Sequence, residues 1–243
     1  MLVPVVSLTK KILTPAMEKD LKAIKGKFYI QRLIDEGEHE HQDFKYQISD
    51  ARKIARSISA FANHDGGRLL IGVKDNGVVA GVRSDEDLYV IEGAAQMYCQ
   101  PSVEVEMTAF RCDGGAVVYR VTIPRVENRP VFVREADKSL KAYYRVADEN
   151  IVAHPLMIKG WMWRRAATGA LLAYSAAERS LLHMLELEER VSPDDYMLRA
   201  HLSRQAAADA VVRLVSLDVV EFVHAGGRWV LQTRAAAQDE SGF

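Results

Sequence analysis

The chain has 243 residues, enough for one large domain or two modest ones. Hydrophobic residues make up 49% and charged residues 27% of it, so a packed core is expected and a disordered composition is excluded. The net charge of −1 excludes a uniformly basic nucleic-acid binder; any surface for a polyanion must be local.

Residues 1–16 read as a flexible lead-in closed by Pro15. Its apolar stretch Leu2–Leu8 precedes Lys10 and Lys11 rather than following them, the wrong order for a secretory signal. No apolar run reaches the ~18 residues needed to cross a bilayer, so a membrane is not an expected partner. Met17–Asp35 has helical spacing at Leu21, Ile24, Phe28, Leu33 and Ile34, as one helix or as two parted at Gly26, and Gly37 ends it. Asp43–Ile48 is a strand. Ser49 or Asp50 caps a helix to about Asn63, with Ile54, Ile58 and Phe61 on one face. Asn63–Gly67 is a glycine turn, and Arg68–Lys74 a strand buried on both faces. Asp75-Asn76-Gly77 predicts a tight hairpin into Val78–Val82, with Gly72 and Gly81 marking close backbone approach.

Ser84 opens a helix to about Cys99. Ser102–Phe110 and Ala116–Ile123 are strands joined by a glycine turn; Pro130–Arg134 and Ala142–Val146 are two shorter ones. Cys99 and Cys112 have no metal spacing and read as free thiols, which fits a cytoplasmic protein. Pro155–Ala167 is a helix. A second unit is expected over 170–234. Its helices open at Ser175, at Ser192-Pro193 and at Ser203, and a hairpin turns at Ala225-Gly226-Gly227. Helix, helix, helix, hairpin is the order of a winged helix. Residues 235–243 read as a disordered tail.

Three sets of residues carry candidate chemistry. Glu38, Asp43 and Asp75 are carboxylates that could hold Mg²⁺ or Mn²⁺, with Lys45 placed for a phosphate, provided a turn brings Glu38 and Asp43 to one side. His39, His41 and Asp43 alternate, a two-histidine, one-carboxylate set. Gly66 and Gly67 could cradle a phosphate with backbone N–H groups, although a turn required by the fold is the favoured explanation. No Walker loop occurs, so ATP hydrolysis has no support. Between Arg111 and Arg145 stand eight basic residues against four acidic ones. Arg120, Arg125, Arg129, Arg134, Lys141 and Arg145 are the candidate phosphate contacts there, with Tyr143 and Tyr144 available for stacking. Arg204, Gln205 and Arg213 would lie on the recognition helix of a winged helix and Arg228 on its wing. That unit, however, holds seven basic residues against nine acidic ones, which also suits a dimerisation role.

Taken together, Glu38…Asp43-Phe44-Lys45, then Ala60-Phe61-Ala62-Asn63-His64-Asp65-Gly66-Gly67, then Ile71-Gly72-Val73 and Gly81-Val82, closing with Tyr144-Arg145-Val146, resemble the Schlafen-type, AlbA-like DNA-binding domain over about residues 28–154. The resemblance implies an α/β (α+β) fold, a mixed sheet flanked by helices, over 17–169, and contact with nucleic acid. In animal Schlafens two such lobes pack together and some cleave structured RNA with three carboxylates; a single-lobed chain would supply the second lobe as a homodimer. Departures are Asp43 where the family has Glu, His64 where it has Thr, and Lys74 at its acidic turn position. The expected function is a nucleic-acid-binding regulator, DNA favoured over RNA, with no cofactor required. The alternatives are a metal-dependent nuclease on Glu38, Asp43 and Asp75, and a protein-interaction or dimerisation scaffold.

Overall fold

A computed structural model describes residues 23–84, 86–166 and 174–234. The expected lead-in 1–16, the boundary at 169/170 and the tail 235–243 lie outside them.

The described chain opens with β1 (Ile24–Lys25), not with the helix expected through Ile24. Ile24 pairs in parallel with Phe110, and the helix α1 (Lys27–Asp35) starts only after Gly26. β2 (Gln42–Lys45) and α2 (Ala51–Asn63) follow; the Asp50 side chain accepts the Arg52 N–H at 2.8 Å and so caps α2 as predicted. β3 (Gly67–Ile71) is buried from Leu69 to Ile71. The hairpin expected after it reduces to a turn at Lys74–Gly77 and a single bridge between Val73 and Val79. The segment pairs back through Lys74 N–H to Val78 O and Ala80 and Gly81 N–H to Gly72 O, and then Val82 crosses toward Val117 by donating its N–H to Val117 O.

α3 (Glu86–Gly93) runs into a π-helical turn at Ala94–Tyr98 and then β4 (Cys99–Gln100). β5 (Glu106–Arg111) and β6 (Val117–Ile123) form the predicted pair. β7 (Phe132–Arg134), β8 (Leu140–Val146) and β9 (Glu149–Val152) make a meander. Two sheets result: a mixed one in the order β1-β5-β6-β3-β2, and an antiparallel one in the order β4-β7-β8-β9.

α2 lies between the two sheets. Ile54, Ile58 and Phe61 pack with Leu69, Ile71, Val121 and Ile123 of the first and with Val131, Val133 and Tyr143 of the second. Ile54, Ala55 and every residue from Ser57 to Asn63 are buried, so the polar side chains on α2 need internal partners. Asn63 finds its own in the second sheet and the segment before it: its amide donates to Val131 O and Tyr143 O at 2.9 Å and accepts from Val131 N at 2.8 Å. α1 covers the other face of the first sheet through Ile30 and Leu33, against Phe44, Leu70 and Phe110.

α4 (Pro155–Ala166) leads to α5 (Ala176–Leu187), α6 (Pro193–Arg199), α7 (Arg204–Ser216) and the hairpin β10 (Val220–Ala225) and β11 (Arg228–Thr233). Ser175 and Glu178 form the predicted reciprocal cap of α5, and Ser192 and Ser203 cap α6 and α7. Val191 bridges to Leu231, adding a third short edge to the hairpin. Ala142, Ala153, Met157 and Trp161 share one apolar cluster with Leu181, Tyr196, Val211, Leu214 and Phe222. Thus α4 packs with the C-terminal helices, and the second sheet is covered by them. Gly160 makes that approach close: a Cβ there would meet Val215 Cγ1 at 2.5 Å.

Candidate functional site

The turn required between Glu38 and Asp43 is present. His39 and Gln42 exchange backbone hydrogen bonds at 2.9 and 3.1 Å around Glu40-His41. Glu38 therefore folds back, and its Oε1 accepts the Phe44 N–H at 2.8 Å. The Glu38 carboxyl is pushed up to about 7, first by burial and then by its hydrogen-bonded neighbour Asp43. Asp43 is buried; Lys45 Nζ lies 2.6 Å from its Oδ2 and Arg145 Nη2 3.6 Å from its Oδ1.

Asp75 does not join this group. It sits exposed in the Lys74–Gly77 turn, and among the described residues no three His, Cys, Asp or Glu side chains are grouped to hold a metal ion. Glu38 and Asp43 lie together at the sheet edge, and the Asp43 carboxylate is met by the two cations Lys45 and Arg145. His39, His41 and Asp43 do not share a strand face either. The two histidines occupy the turn, where the His41 N–H donates to His39 Nδ1 at 3.1 Å and His41 Nδ1 lies 3.2 Å from Gly66 O.

At the glycine turn the backbone is committed to the fold. The Gly66 N–H donates to Phe61 O at 2.9 Å and is not available to an anion. Gly66 has φ +77°, and a Cβ there would lie 2.9 Å from Arg125 N and Ile123 O. A Cβ on Gly67 would meet Phe61 Cδ1 at 2.4 Å.

The candidate basic residues divide. Arg145 is buried at 1% exposure, donates to Asn150 Oδ1 and to the carbonyls of His39 and Gln42, and stacks 4.9 Å from the Phe61 ring centre. It ties the second sheet to the first and is not a surface contact, a correction to the sequence reading. Arg120 is half-buried, donating to Tyr29 Oη at 2.6 Å. Arg125 is exposed and paired with Asp65 at 2.8 Å. Arg129 donates to Asn63 O and lies 5.2 Å from the Trp161 ring centre. Arg134 and Lys141 are exposed at the β7–β8 end. Arg204 and Gln205 are exposed at the start of α7, with Gln205 donating to Asp209 Oδ1 at 2.7 Å. Arg213 is half-buried against the buried carboxylate of Glu178 at 3.4 Å, and Arg228 is exposed at the hairpin.

Two adjoining cavities share Asp65 and Arg125. The outer, of about 470 Å³, is bounded by Tyr29, His41, Arg68 and Arg120. The inner, of about 340 Å³, lies between the sheet lobe and the C-terminal helices and hairpin. Its walls include His64, Arg129, Tyr144, Trp161, Arg164, Asp218, His224, Trp229 and Arg234. Tyr144 is at the centre of its rings, 4.9 Å from His64 and 6.0 Å from both Trp161 and Trp229. Burial pushes the Tyr144 hydroxyl up to about 12 and holds His64 below its usual range. Asp218 accepts both Arg164 and Arg234. The sequence reading missed this cleft except for Arg125, Arg129, Tyr144 and Arg145. Its one available signal was that Trp161 and Trp229 are two of only three tryptophans.

A mixed sheet and a meander packed about one buried helix, with the Glu38–Asp43 turn at the sheet edge, form an α+β domain. Residues 38–154 match the family described as Schlafen, AlbA_2. Among solved structures, the DIP2311 protein from Corynebacterium diphtheriae is similar at 18% identity and a TM-score of 0.38; the match covers 61% of this chain and only 30% of that one. The N-terminal domain of an ATP-dependent DNA helicase RecG-related protein from Nitrosomonas europaea is similar at 22% identity and a TM-score of 0.37, covering 52% of this chain and 95% of that domain. No curated protein matches. No described helix is long and apolar enough to cross a membrane.

Proposed function

We propose that this chain is a nucleic-acid-binding protein, acting as a regulator in which binding rather than catalysis is the output. The observation that carries the reading is the arginine row Arg120, Arg125 and Arg129. It follows β6 along the two adjoining cavities into a cleft walled by Tyr144, Trp161 and Trp229. Guanidinium groups meet phosphates and aromatic rings meet bases. The Schlafen, AlbA_2 domain supports it, since that family is expected to touch nucleic acid. Arg134, Lys141, Arg204 and Arg228 stand exposed around the same molecule and extend the set of phosphate contacts.

In this reading residues 174–234 are a winged helix, with α7 as its recognition helix. Its acidic balance favours a role in pairing two copies, which would also bring a second sheet lobe beside the first. A monomeric mass by light scattering at micromolar concentration would remove that part. DNA is the preferred strand, and the site needs no cofactor.

The second reading, a metal-dependent nuclease, is favoured only by the meeting of Glu38 with Asp43 and Lys45. One gel decides between them. Labelled DNA and RNA are run with and without Mn²⁺. Binding alone gives a shift that weakens with salt and ignores chelator. A nuclease gives Mn²⁺-dependent product that is lost in Glu38→Ala and Asp43→Ala. Neither outcome leaves a protein-interaction scaffold.

A further inference from the structure

We propose that the inner cleft takes one unpaired nucleotide of a single strand, with its base against Trp229 and its phosphate on the arginine rim. This rests on the nucleic-acid reading above and narrows it to a strand type.

Size is the first argument. A space of about 340 Å³ is at the lower end of sites for small ligands, roughly 300–1,000 Å³. It holds a base and its sugar phosphate, not a duplex. Charge is the second. Arg125, Arg129, Arg145, Arg164 and Arg234 line the cleft, and so do Glu40, Asp65, Asp218 and Glu221. Arg145 is already taken up by the buried Asp43, so the other four cations face four carboxylates with no surplus, whereas a duplex is held by many phosphates at once. What the rim does offer is donors. Each guanidinium carries five N–H groups, and a single Asp218 is shared by Arg164 and Arg234. Arg129 has no carboxylate partner among the described residues; it is held by Asn63 O and Trp161. Such a rim can meet one phosphate.

The rings are the third argument. Trp161 is 6% exposed and forms a fixed floor with Arg129 across it. Trp229 is more open, and its Nε1–H donates to Val152 O at 3.0 Å, which sets the orientation of its ring. His224 meets the same ring edge-on at 5.2 Å. A preset ring beside a guanidinium rim stacks any base without reading its edges. Bases in a duplex present no such face.

The test uses the full chain and fluorescence anisotropy. The probes are a labelled DNA strand of about twelve nucleotides, the RNA of the same sequence, the blunt DNA duplex, and unlabelled adenosine monophosphate as competitor. We expect the single strand to bind at least ten-fold more tightly than the duplex. Its affinity should have a shallow salt dependence, with a log–log slope of about −1 to −2. Trp229→Ala should lower single-strand affinity by about five- to a hundred-fold, the range of base–aromatic stacking, while Trp229→Phe retains most of it. If Trp229→Ala does not fold, Arg234→Ala at the rim decides, with an expected loss of several-fold on the strand and none on the duplex. Adenosine monophosphate should displace the strand only at millimolar concentration; equal affinity would make this a free-nucleotide site and overturn the strand assignment. Equal binding of strand and duplex, with neither variant altering the strand, overturns the inference and leaves nucleic-acid binding standing. No binding by any probe overturns both.

Discussion

Glu38 is the residue whose protonation the fold changes most visibly. Its carboxyl titrates at about 7 in the folded chain against an ordinary 4.5, so the folded state holds a proton that the unfolded state has released between those values. Its contribution to stability is thus full below about pH 4.5 and lost as pH rises through about 7. Glu38→Gln keeps the acceptor for Phe44 N–H and removes the charge. We expect it to raise the thermal midpoint at pH 8 and leave it nearly unchanged at pH 5, as read by circular dichroism. Arg145 poses the opposite case, a charge that cannot be neutralised. Arg145→Ala leaves Asp43 buried beside a single cation and should cost about 3 to 5 kcal/mol in urea unfolding. Asp43→Asn in that background should recover part of the loss, because the uncompensated charge is gone.

Among the elements, α2 and its Asn63 show how far the sequence could be read. The cap at Asp50, the apolar stripe and the glycine stop are local signals, so the helix was legible to within a residue. Asn63 read as the helix end where a turn begins, and so it is, but its side chain binds Val131 and Tyr143, nearly seventy and eighty positions away. No local pattern encodes a partner at that separation. The same holds for Arg145, whose charge looked solvated because a strand residue's facing depends on what packs over it. Ile24 was misread because a two-residue parallel strand has no period of its own. Asn63→Ala removes hydrogen bonds to three buried backbone groups and should cost at least about 2 kcal/mol, measured by urea denaturation. Gly160→Ala should destabilise as well, since Val215 must shift for α4 to keep its place on α7.

For the whole molecule the governing fact is that the lobes are not separately closed. Ala142 comes from β8, Ala153 directly follows β9, Met157 and Trp161 come from α4, and all four are buried among residues of α5, α7 and β10. The core of residues 174–234 is thus continuous with that of α4 and the second sheet. Calorimetry should show one unfolding transition, with calorimetric and van't Hoff enthalpies equal. A variant ending at residue 166 should expose the apolar face of α4 and bind a hydrophobic dye. The inner cleft exists only because of this union, since its walls come from both sides of the junction.

The placement of α2 has a consequence for how the molecule breathes. A helix covered by sheets on two sides cannot fray without first displacing one of them, so its amides open only when the whole structure does. In heavy water the protons of Ile58 to Ala62 should be among the last to exchange, at the rate of global unfolding, while those of the Lys74–Gly77 turn exchange at once. The family signature from Ala60 to Gly67 would then mark not the part of this protein that moves with its ligand but the stationary axle around which the cleft can open.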